Sequence, residues 1–237
     1  MKRIIPFVYI SIVLLILSGC MYPQSELAKH QEPQEAQLER VQEVVLQYRE
    51  QTNGLLPIHT TESDAPLYEK YVIDFTALKD AQLLQETPGT AYENGGYYQY
   101  IIINPEEDPQ VKLIDLRMTE KLREVNVKLD IYRQKHLYPP YGEQITSDIY
   151  RLNYERLGFK EEPTVISPYS NEELPILMTT DGELIVDYRL DLQLAIEEFG
   201  VDEDSEDIRY VLEENYPFVP AYSVPYELDG GQPVFKN

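Results

Sequence analysis

Two short polar patterns in this 237-residue chain have the types and spacing for chemistry: Asp115-x-Arg117 and Asp187-x-Arg189. Each closes a β-rich run, Leu113-Ile114-Asp115-Leu116-Arg117 and Ile185-Val186-Asp187-Tyr188-Arg189, at a constant offset of 72 residues. Residues i and i+2 on a strand share a face, so each pair would set a carboxylate beside a guanidinium. One role for such pairs is a ligand clamp where two modules meet. The other is a salt link from the strand end to the following helix, worth little where exposed. Because the pairs recur with the fold's own pattern, the second role is favoured.

Other candidate chemistry is thinner. The densest acidic run is Asp202-Glu203-Asp204-Ser205-Glu206-Asp207. Counted as a twelve-residue calcium loop from Asp202, it puts Asp207 at position 6, where the sharp turn needs glycine. A helix beginning near Glu206, capped by Ser205 or Asp204, accounts for the same residues. His30, His59 and His136 have no metal-ligand spacing, so no metal is assigned. Gly-x-Ser-x-Gly, Ser-x-x-Lys, His-Glu-x-x-His, Walker and Gly-x-Gly-x-x-Gly signatures do not occur. The 42 acidic residues leave a carboxylate hydrolase open in principle, but nothing in residue order nominates a pair. No catalytic residue and no cofactor is expected. The lone cysteine, Cys20, excludes a disulfide scaffold and a cysteine-built metal cluster.

The elements around these residues follow a repeating order. A helix over about 36–52 carries Leu38, Val41, Val44, Val45 and Tyr48 at three- and four-residue spacing, stopped by Asn53-Gly54. A second helix carries Met118, Leu122, Val125, Leu129 and Tyr132. A third carries Leu192, Ala195, Ile196 and Phe199, then Ile208, Val211 and Leu212. Each is followed by a proline corner, at Pro57, Pro139 and Pro217. Strands are expected at 97–103 and 111–116 around an Asn-Pro-rich turn, and at 175–178 and 183–188 around Asp181-Gly182. After the first two corners, Leu67-Tyr68-x-x-Tyr71 matches Ile149-Tyr150 with Tyr154. The expected fold class is α+β: internally repeated helix–proline corner–β-hairpin modules with helices packed on small antiparallel sheets. The boundaries are a first module at 36–117, a second at 118–189, and a truncated third with a Pro/Tyr-rich tail at 190–237. The tail run Tyr216 to Tyr226 reads as an extended wrap over the core, or as a docking surface.

The first residues give an address. Lys2 and Arg3 precede an apolar run over 4–17, too short to span a bilayer comfortably, and the run ends in Leu17-Ser18-Gly19-Cys20. Small residues before a cysteine at that point resemble a bacterial lipobox, so 1–19 reads as a lipoprotein signal peptide and Cys20 as the lipidation site. Residues 20–35 then form a polar tether. Removing the signal leaves 18 basic against 42 acidic residues, a net charge of −24. Nucleic acid is excluded as a partner, since binding it requires a basic footprint.

The lipobox, the Gly54-Leu55-Leu56-Pro57-Ile58 corner, both Asp-x-Arg strands and Pro217-Phe218-Val219-Pro220-Ala221 together resemble the YphF-like cell-surface lipoproteins of Bacillus-type bacteria. That resemblance implies the outer face of a Gram-positive cell membrane, and it carries no catalytic motif across. The helix ending Tyr48 to Pro57 also has the pattern of a pilin-type soluble domain, a likeness of shape alone. The expectation is a non-enzymatic, diacylglyceryl-anchored, extracytoplasmic binding or scaffold protein with a protein or cell-wall partner. Its alternatives are a solute-binding component of an ABC-type transporter and a carboxylate-based wall hydrolase.

Overall fold

The computed structural model describes residues 34–59 and 66–236. The signal peptide, Cys20, His30 and nearly all of the expected tether lie outside the described residues. Helix α1 (Gln34–Gln51) buries Val41, Val44 and Val45 and ends as expected, with Asn53 and Gly54 both in left-handed conformations. A short helix α2 (Phe75–Asp80) is capped by the Asp74 carboxylate, which accepts from the Thr76 and Ala77 amides. Strands β1 (Tyr98–Ile103) and β2 (Gln110–Asp115) pair antiparallel with Tyr98 opposite Asp115. Isolated bridges widen this ribbon. Ile58 pairs with Ile73, Val72 with Ile101, and Leu113 runs parallel to Phe218.

The widened sheet has two buried faces. Tyr100, Ile102, Val111 and Leu113 face α1 and α2, while Ile101, Ile103 and Ile114 pack with Tyr68, Val219 and Ala221 on the other side. The alternation is the period-2 pattern of a strand, with both faces apolar because both are covered. Gln42 of α1 fixes the register of the hairpin. Its amide nitrogen donates to Pro109 O at 2.9 Å and its carbonyl accepts from the Val111 amide at 2.6 Å.

The other half is built on helix α3 (Leu116–Lys135), which buries Met118, Leu122, Val125 and Leu129, the stripe read from the sequence. They pack on a sheet of strands β3 (Tyr141–Gln144), β4 (Ile149–Leu152), β5 (Thr164–Ile166), β6 (Glu173–Thr179) and β7 (Leu184–Val186). The strand order is β3-β4-β6-β5, with β7 also paired to β6. Helices α4 (Arg189–Phe199) and α5 (Tyr210–Asn215) and a final hairpin, β8 (Tyr226–Asp229) with β9 (Gln232–Phe235), complete the same core.

The architecture is α+β, helices on small antiparallel sheets. The sequence repeat does not become a repeat of like modules. Leu67–Glu69 is a turn of 3₁₀ helix, whereas its sequence counterpart at Ile149 is strand β4. The first hairpin is the centre of its own sheet; the second contributes β6 and β7 to a larger one. Similar local patterns met different neighbours, and the neighbours decided the pairing.

A strap, residues 216–225, joins the halves. Pro217 O accepts from the Leu113 amide at 2.9 Å and Leu113 O accepts from the Val219 amide at 3.1 Å. Further on, Tyr222 O accepts from the Val186 amide at 2.8 Å. Tyr222 sits at φ 58, a conformation an aromatic residue rarely adopts, and its hydroxyl lies 2.7 Å from Thr119 Oγ1 on α3. The strap therefore hydrogen-bonds β2, α3 and β7 together, the wrapping role expected of the Pro/Tyr run.

Candidate functional site

Asp115 and Arg117 do not share a strand face. Asp115 ends β2 and caps α3, and Arg117 already lies in the first turn of the helix. One carboxylate oxygen accepts from the Arg117 amide at 3.0 Å, and the guanidinium folds back onto the same carboxylate through Nε at 2.9 Å and through Nη2. Asp187 and Arg189 repeat this at the start of α4, with the amide at 3.1 Å, Nε at 2.9 Å and Nη2 at 2.6 Å. The strand-face geometry expected from the i, i+2 spacing is thus corrected. A carboxylate at a helix N-terminus takes the free amide and draws the next side chain into a bidentate pair.

A third copy, missed in the sequence, stands at Asp207-Ile208-Arg209. The Arg209 amide donates to Asp207 at 3.1 Å, Nε at 2.9 Å and Nη2 at 2.6 Å. The helix it starts, α5, begins at Tyr210 and not near Glu206, so Ser205 and Asp204 are not its cap. Ser205 Oγ donates to Asp207 O instead, and the Asp204 amide donates to Asp202. The signal was present as Asp-x-Arg, hidden at the end of an acidic run. In all three copies the guanidinium lies over an aromatic ring. Arg117 is 5.6 Å from the Tyr97 centroid, Arg189 4.7 Å from Phe235, and Arg209 5.3 Å from Tyr68.

The copies differ in what lies beyond the arginine. Arg117 borders a groove of about 650 Å³ between the two halves, lined by Tyr98, Met118, Lys121, Phe218 and Tyr169 together with Thr164 to Ser167. Its side chain is 59% exposed. Arg189 borders a second groove of about 440 Å³ with Leu174, Pro175, Leu190 and Pro233, and is 36% exposed. Arg209 is 8% exposed and turns its Nη1 to the strap, donating to Ser223 O and Oγ, each at 3.1 Å. The structure does not bring the first two pairs into one site; each serves its own helix and its own groove.

Behind the strap lies a buried polar cluster. The Tyr68 hydroxyl donates to Glu213, and Lys112 donates to Tyr216 O at 2.9 Å. Burial pushes the Glu213 carboxyl above its ordinary range against the lowering effect of Tyr68 and Arg209, and pushes Lys112 below its own. Asp191 on α4 accepts from Ser167 at 2.8 Å and Ser170 at 2.6 Å, yet burial still raises its carboxyl. Glu213 also lines a cavity of about 340 Å³ with Leu67, Tyr71, Ile102 and Pro105. His59 lies 3.9 Å from Asp74, and His136 is stacked on Tyr132 at 4.1 Å. Among the described residues no group of three or more His, Cys, Asp or Glu side chains is placed to hold a metal ion, and no helix is long and apolar enough to cross a membrane.

Residues 34–115 match the family model described as the YphF family N-terminal domain. The chain is YphF-like over that stretch. The match begins with α1 and ends on Asp115, the carboxylate that caps α3, so it covers the first half of the fold without the strap segment added to its sheet. No curated protein and no solved structure matches the chain.

Proposed function

We propose that this chain is a non-enzymatic binding protein, held by lipid on Cys20 at the extracytoplasmic face of the cell membrane, that docks a protein or cell-wall partner between its two halves. The observation that carries the reading is the groove beside Arg117. It is lined by aromatic rings, by a half-exposed guanidinium and by one whole short strand, a surface suited to recognition. The Asp-x-Arg carboxylates support a binding role over acid–base work, since each is occupied by a helix amide and a bidentate arginine. Gln34, the first residue of α1, also borders this groove, so the groove lies beside the point where the chain from Cys20 enters the described fold. The test is photo-cross-linking in cells from a photoreactive residue at Ile166 in the groove, with exposed Asp80 as a remote control. A reproducible neighbour from position 166 and not from 80 is expected; no neighbour from 166 overturns the proposal.

A further inference from the structure

We infer that the groove beside Arg117 takes an extended peptide segment, which adds as a strand to the free edge of β5 and sets a main-chain carbonyl on the outer N–H groups of Arg117. The inference rests on the proposal that a partner docks in this groove, and it specifies the chemistry of that partner.

The first support is the edge itself. Strand β5 ends its sheet. The Ser167 amide donates to Glu172 O at 2.8 Å, and Val165 stands opposite Leu174. Hydrogen-bonded and non-bonded pairs alternate along an antiparallel ladder, so Thr164 and Ile166 turn their main-chain groups away from β6. Pro175, opposite Thr164, turns its carbonyl the other way, to the Asp187 amide on the β7 side. Three consecutive residues, Thr164 to Ile166, line the groove, as a strand does when its edge and not one face is presented. An open edge of this kind is a template for another strand.

The second support is inside the molecule. Arg209 and Arg117 are held alike, with Nε and Nη2 on their own aspartate. The remaining edge of Arg209 is filled by the carbonyl and hydroxyl of Ser223 in the strap. The same edge of Arg117 meets no acceptor among the described residues and borders the groove. The strap also adds to a sheet edge of its own, through Leu113 on β2. This chain therefore already binds one segment by the two contacts that the groove offers to a second.

The probe is a synthetic nonapeptide with the strap sequence PFVPAYSVP, titrated into the isotope-labelled full chain in detergent micelles and followed by amide and guanidinium NMR. Saturable shifts at the Thr164 and Ile166 amides and at the Arg117 Nε–H are expected. Arg117→Lys and Ile166→Pro should each weaken binding about tenfold, and a Ser→Ala change in the peptide should weaken it several-fold. Ile166→Pro removes an N–H that faces away from β6, so its spectrum outside the groove should be unchanged, which separates lost binding from lost folding. Shifts confined to the strap's own contacts at Leu113, insensitivity to both variants, or no saturable shift would each overturn the inference. If cross-links from position 166 persist while the peptide fails, the strand-addition chemistry alone is wrong; if both fail, the groove is not a docking site.

Discussion

The three Asp-x-Arg copies share one motif, an aspartate paired with the amide and guanidinium of the arginine two residues on, and differ most in the burial of that arginine. Replacing each aspartate by alanine should therefore cost unequal amounts of stability. All three lose a bond from the aspartate to the arginine amide at the start of a helix, worth about 1 kcal/mol. In Asp115→Ala the freed guanidinium, 59% exposed, returns to water, and the cost should stay near about 1 kcal/mol. In Asp187→Ala the arginine is 36% exposed, and about 2 kcal/mol is expected. In Asp207→Ala a guanidinium 8% exposed keeps its bonds to Ser223 but loses its counter-charge, and the Tyr226 amide loses an acceptor. An uncompensated buried charge raises the total there to about 4 kcal/mol. Urea titration of the three variants measures the series, and for a chain of this size the last should melt about 10 °C lower. Equal losses in all three would show that the amide bond alone matters and that the arginine is not the costly group.

Three further outcomes can be measured. Cys20→Ser should move the protein from the membrane fraction to the medium or the soluble extract; if it stays in the membrane fraction, another anchor holds it. Burial raises the Glu213 carboxyl in the folded state, so the folded protein holds that proton more tightly than the unfolded chain, and this group's contribution to stability falls as pH rises through the folded value. Glu213→Gln should accordingly flatten the pH dependence of stability above the ordinary glutamate value, and an unchanged slope in urea titrations at several pH values would refute it. A methyl group at Gly96 would overlap the Thr90 main chain, so Gly96→Ala should displace the turn before β1 and cost about 2 kcal/mol, read by thermal melting.

The sequence by itself determined the elements whose signals are local. The stripe Met118, Leu122, Val125 and Leu129 specified α3 because a 3.6-residue period shows in any long helix with one buried face. Asn53-Gly54 marked the end of α1 because few residues adopt the left-handed conformation required there. The hairpin of β1 and β2 was legible from two apolar runs around a proline-containing turn. Strands β3, β4 and β5 were not, being short and only partly apolar; β4 and β5 exist because β6 lies beside them, and β3 because β4 does. The closing hairpin, β8 with β9, has a turn signal in Asp229-Gly230-Gly231, but its strands of four residues each are too short to show a period-2 pattern. For the site, the Asp-x-Arg residue types were visible and their geometry was not. A strand that becomes a helix within the motif changes i, i+2 from two groups on one face to a cap and its paired side chain. Which arginine meets water, a groove or the strap was decided by contacts across long sequence separations, and those only the tertiary structure supplies.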